Sequence, residues 1–131
     1  MTINPIDFER ENMRKHGWYV HYVPEDNYGA GANVHTHGLP ESFSHLDIQC
    51  TLPVRQDIIH TIFIELAERI KRGETFVVNQ QYDDIIHHFC VEFIPAVEND
   101  RTVLRLVLPD KEGRLPSDPA CDPYYKRQYD N

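Results

Sequence analysis

Apolar residues recur along this chain with two periods, and each period predicts a different element. Between Pro53 and Arg72, Val54, Ile58, Ile59, Ile62, Phe63, Leu66, Ala67 and Ile70 fall at three- and four-residue spacing, the stripe of a long amphipathic helix. Gly73 is its natural stop. Glu65 with Arg69 and Glu68 with Arg72 form i,i+4 pairs of favourable polarity and read as a solvated face. From Leu46 to Leu52 the period drops to two. Leu46, Ile48, Cys50 and Leu52 alternate with Asp47, Gln49 and Thr51, which predicts a half-buried strand.

The remaining segments follow from composition and turn chemistry. Trp18 to Val23 is aromatic and β-branched and predicts a strand that Pro24 ends. Residues 26–31 turn the chain, and Asn33 to Leu39 reads as an antiparallel partner with Asn33, His35, His37 and Leu39 on one face. Pro40 to Ser44 is a connection. Three more strands are predicted over Thr75–Val78, about Ile85–Ile94 and Thr102–Leu108, with Glu98-Asn99-Asp100 turning between the last two. On the middle one, Phe89, Val91 and Phe93 face one way and His88, Cys90 and Glu92 the other.

Both ends are simpler. Residues 5–16 predict a short surface helix capped by Asn4, opened by Pro5, with Asp7 and Glu9 at its positive end and Gly17 as its stop. The tail, 109–131, holds four of the nine prolines and should be irregular. These elements predict an α+β fold: a mostly antiparallel sheet of about five or six strands with the Pro53–Arg72 helix across one face. A partial barrel is compatible with such connections, and the whole chain, 1–131, is expected to be a single domain.

Composition narrows the partners. The 131 residues carry 13 basic and 21 acidic side chains, a formal charge of −8, which repels phosphate backbones and anionic lipid surfaces. Nucleic-acid and membrane roles are not expected. The N-terminus lacks the positive-then-apolar order of a signal peptide, so a cytoplasmic protein is the expectation. Cys50, Cys90 and Cys121 lie far apart, without a Cys-x-x-Cys pair, which argues against a disulfide framework.

Candidate chemistry centres on His35-Thr36-His37-Gly38-Leu39. The chain has 8 histidines, but only His35/His37 and His87/His88 cluster. Imidazoles two residues apart on an extended segment point the same way and can grip one divalent transition metal, such as zinc. His88 is the third ligand expected, with His45 or a carboxylate as substitutes, and Glu92 or Asp47 would serve as base at an open metal position. Trp18, Thr36, Gly38 and Glu92 complete a candidate ligand-binding set, Trp18 with Tyr19 and Tyr22 as a pocket wall.

Two functions are consistent with these residues. The first is a small protein with a His-lined metal or small-ligand site, with hydrolysis as its conceivable chemistry. The second is a non-catalytic acidic interaction module, an inhibitor or immunity-type partner of a basic protein, on the strength of small size and charge. Homodimerisation through an antiparallel edge strand is compatible with both.

Several short motifs carry a resemblance. Gly17-Trp18, Thr36-x-Gly38-Leu39, the Leu46–Leu52 strand, the long helix ending in Arg72-Gly73-Glu74, and Pro116-x-Asp118 with Gln128 resemble an uncharacterised bacterial domain-of-unknown-function family. Many of its members have tyrosine where this chain has His35 and an apolar residue where it has His37, a Tyr-Thr-x-Gly-Leu signature. The resemblance carries over Thr36, Gly38 and Leu39 and implies no activity.

Overall fold

The polar–apolar alternation folds into a six-stranded open sheet in the order β1-β2-β3-β6-β5-β4. The strands are β1 (Tyr19–Val23), β2 (Asn33–His37), β3 (Ile48–Cys50), β4 (Gln81–Tyr82), β5 (Val91–Glu98) and β6 (Arg101–Val107). All pairings are antiparallel except β3 with β6. The computed structural model describes residues 5–23 and 32–130. The expected cap Asn4 and the turn over 26–31 lie outside the described residues. The α+β architecture is as expected, and the sheet does not close into a barrel.

One face of the sheet meets α3 (Gln56–Lys71), which buries Ile59, Phe63, Leu66, Ala67 and Ile70 against Val34, Ile48, Cys50, Phe93, Leu104 and Leu106. Each large apolar side chain removed from water there contributes roughly 1.5–3 kcal/mol. At the end of α3, Gly73 takes φ +100, and the backbone N–H groups of Gly73 and Glu74 bond to the carbonyls of Ile70 and Arg69. That double closure is a Schellman cap, and the positive φ rather than lack of space calls for glycine. Ile58 stays 44 % exposed, outside the stripe predicted for it. Arg69 departs from the solvated-face reading as well: it is buried and binds Glu74 and Asp84 across the helix end.

The expected strand over Thr75–Val78 is absent because side chains take its backbone donors. The N–H of Phe76 donates to His45 Nε2 (3.0 Å) and that of Val77 to the Tyr82 hydroxyl (3.0 Å). β5 starts at Val91, not near Ile85, and His88 before it takes φ +72, a conformation that breaks an extended run. β3 is buried on both sides: Asp47 and Gln49 are as inaccessible as Ile48, while Leu46 is 41 % exposed. The turn at Asn99-Asp100, with both φ values positive, joins β5 to β6 as a two-residue hairpin.

The N-terminal helix α1 (Pro5–His16) ends at Gly17 and lies beside β1. β2 runs directly into a five-residue helix, α2 (Leu39–Phe43), where a plain connection was expected. Gly38, at φ +104, makes that corner. A Cβ there would stand 2.5 Å from the Gly17 carbonyl oxygen and 2.6 Å from Met13 Sδ, so α1 can dock only against a residue without one. In the tail, α4 (Pro123–Lys126) and a closing 3-10 turn, Arg127–Tyr129, fold back on the sheet. Among the described residues, no helix is long and apolar enough to cross a membrane.

Candidate metal centre

The β1–β2 register sets Tyr19 opposite His37, His21 opposite His35, and Val23 opposite Asn33. Opposed residues in an antiparallel pair project to the same side, so His21 joins His35 and His37 on the sheet face away from α3. One ring nitrogen from each of the three lies within 4.8 Å of the others. His35 Nε2 and His37 Nε2 are 3.1 Å apart, and Tyr19 stacks on the His37 ring at 5.2 Å between centroids.

Hydrogen bonding fixes which nitrogen of His35 is available. Arg105 can only donate, so its 2.9 Å contact makes Gln49 Oε1 an acceptor and leaves Gln49 Nε2 as donor. That amide donates to Asn33 Oδ1 at 3.1 Å, which leaves the same oxygen to accept from His35 Nδ1 at 3.0 Å. His35 is therefore protonated on Nδ1, and when neutral its Nε2 carries a bare lone pair. The relay ends in the tail. Arg105 also donates to the carbonyls of Gln128 and Asp130, and the Gln128 side chain exchanges hydrogen bonds with the backbone of Leu108.

Beside that lone pair stands a carboxylate. Glu98 Oε1 is 3.4 Å from His35 Nε2, and its other oxygen accepts from Arg101 Nε at 2.9 Å. Arg101 is anchored by the Thr36 carbonyl (2.9 Å) and by Asp47, whose Oδ1 accepts from the Thr36 hydroxyl (2.7 Å) and the Leu39 N–H (3.2 Å). Burial pushes the His35 pKa down to about 4 against the pull of Glu98. Burial also lowers His37, helped by the Arg101 charge. Burial, the largest influence, would raise Glu98, but the Arg101 hydrogen bond together with the charges of Arg101 and the neighbouring histidines holds the carboxyl below its ordinary value. At neutral pH the lone pair of a neutral imidazole thus faces an anionic oxygen, with no proton between them.

A cation would satisfy that arrangement. Tetrahedral zinc with ligands about 2.0–2.1 Å away separates neighbouring donor atoms by roughly 3.4 Å. The spacing of 3.1 Å between His35 Nε2 and His37 Nε2 is close to that edge length. Three imidazoles can bind a divalent transition metal and leave one tetrahedral position for water or a ligand, with the carboxylate beside it.

His88, expected as third ligand, does not join His35 and His37. Glu98, which stands beside His35, is the last residue of β5, and the extended chain back to Val91 spans roughly 23 Å, so His88 lies beyond the opposite end of that strand. His88 lies just before β5, lining a cavity of about 510 Å³ with Gln81, Cys90 and Arg114. Glu92 is also remote from the three histidines and accepts from the Tyr129 hydroxyl at 2.6 Å. The Thr36 side chain points to the core side and holds Asp47, and Gly38 shapes the corner before α2. Trp18 is half-buried against the core at the sheet edge. Neither expected base stands at the histidines: Asp47 is bound to Arg101 and Glu92 to Tyr129, whereas Glu98, read from sequence as a turn residue, stands beside His35.

His21 and Glu98 were therefore the members that sequence reasoning missed. His21 was detectable in principle, since it sits on a predicted strand next to the His-x-His strand, but its partner depends on a register no local pattern sets. No curated protein and no solved structure matches the chain. The family described as Domain of unknown function (DUF4262) matches residues 12–122, a span that includes His21, His35, His37, Glu98 and Arg101. The chain belongs to that family.

Proposed function

We propose that this protein binds a divalent transition metal, with zinc the best fit, through His21, His35 and His37. The observation that carries the proposal is the convergence of three imidazole nitrogens within 4.8 Å on one partly buried sheet face. Two features support it. The Arg105–Gln49–Asn33 relay frees His35 Nε2 for ligation, and burial favours the neutral forms of His35 and His37 that a metal requires.

Hydrolysis is the chemistry that suits such a centre. A three-histidine site leaves a fourth position at which the metal acts as Lewis acid. Glu98, held through one oxygen by Arg101 and with the other beside His35, is placed to take a proton there.

The test is elemental analysis of protein purified without chelator, beside a folded His35→Ala/His37→Ala variant. Near-stoichiometric metal that disappears in the variant supports the proposal. A wild-type protein that neither carries nor takes up zinc, iron, nickel or manganese refutes it.

A further inference from the structure

At the free edge of β1 lies a cleft of about 560 Å³, well within the range of small-ligand pockets, about 300–1,000 Å³. Two helices wall it with matched stripes. α1 supplies Phe8, Asn12 and His16, and α3 supplies His60, Ile64 and Glu68. Residues at i, i+4 and i+8 line up along one helix face over roughly 12 Å. The floor is the edge strand itself, with Trp18 and Tyr22 on one side and Tyr19 and His21 on the other. The Tyr22 hydroxyl and His60 Nδ1 are hydrogen-bonded at 2.8 Å, tying floor to wall.

Two properties of this cleft point to one kind of occupant. Its rim leaves large apolar side chains in water, Phe8 at 58 % exposure and Ile64 at 43 %. Its charged groups are Glu9 and Glu68, and no lysine or arginine is among the described lining residues. Of the three lysine and arginine side chains of α1, Arg14 and Lys15 both pair with Glu11, and Arg10 does not line the cleft. Aromatic faces with carboxylates attract an organic cation and repel an anion.

We propose that the cleft binds a small aromatic amine, its ring against Phe8, Trp18 and Ile64 and its ammonium group directed to Glu68 or Glu9. His21 belongs both to the cleft floor and to the three-histidine cluster, so a ligand seated here lies against that centre. In this link alone the inference rests on the metal reading, for which it names the substrate class.

The test is calorimetry on the full chain, with and without zinc, using phenethylamine, the longer biphenylmethylamine, and phenylpropionate as the anionic match. Emission from Trp18, the chain's one tryptophan, gives a second readout inside the cleft. At least one amine should bind saturably, with the anion weaker by roughly tenfold. Glu68→Gln should weaken amine binding about fivefold and leave the anion no weaker. Equal binding of amine and anion, or no saturable binding of either amine, overturns the proposal. The His35→Ala/His37→Ala variant should keep amine binding without zinc. Amine binding in a protein that takes up no metal sinks the metal reading alone, and zinc uptake without amine binding sinks the cleft alone.

Discussion

His35/His37 and His87/His88 are both paired histidines, yet the fold treats them in opposite ways. The His87 and His88 rings are the closer pair, 4.2 Å between centroids against 4.8 Å for His35 and His37. Both residues of that second pair are exposed in a bend, whereas His35 is 1 % exposed within a strand. Only around His35 do Asn33, Glu98 and a third histidine converge, among the described residues. Ring proximity is therefore a poor guide to a metal centre. Burial, a fixed tautomer and a facing anion distinguish the first pair from the second.

That contrast can be broken most directly by removing each pair in turn. His35→Ala/His37→Ala should abolish zinc uptake, while His87→Ala/His88→Ala should leave its stoichiometry and affinity unchanged in calorimetry. A loss from the second variant would move the site to the other end of the sheet. A smaller effect tests the facing anion. Glu98→Gln keeps the shape but removes the charge, and zinc affinity should fall about tenfold or more. An unchanged affinity would show that Glu98 serves only as a partner for Arg101.

The relay should matter less with distance from the metal. Asn33→Ala frees the His35 Nδ1 proton from its acceptor and should lower affinity by about tenfold, with Gln49→Leu lowering it less. Equal losses from both would point to general unfolding, which urea denaturation of the metal-free variants would reveal.

Acid supplies the smallest and broadest effect. His35 has a folded pKa of about 4 against an ordinary 6.5, so between these values the unfolded chain binds a proton that the folded chain does not. Its contribution to metal-free stability is complete above pH 6.5 and declines as pH falls through about 4, by about 3 kcal/mol at most. His35→Leu should flatten this acid limb in denaturation measured as a function of pH. An equally steep limb in the variant would assign acid sensitivity to other groups.

How much of this could be read from sequence depended on whether a pattern was local. The α3 stripe and its Gly73 stop were legible because helix periodicity and capping need no distant partner. The β5–β6 hairpin was legible through Asn99-Asp100. The Thr75–Val78 segment looked like a strand because nothing nearby announces that His45 and Tyr82 will occupy its N–H groups. At the candidate site, the shared side of His35 and His37 followed from strand alternation. His21 needed the β1–β2 register, and Glu98 needed the far strand β5 to return past β3 by way of β6. His88 was favoured for its sequence cluster, but it precedes the start of β5, and the end of that strand, at Glu98, is what reaches His35.

The central claim, that three strand-borne imidazoles form one metal centre, is tested most directly by anomalous diffraction from zinc-loaded crystals. A zinc peak is expected about 2.0–2.1 Å from His35 Nε2, His37 Nε2 and a ring nitrogen of His21. A crystal soaked in zinc that shows no peak among these three histidines, or shows its ordered zinc at His87 and His88 instead, would contradict it.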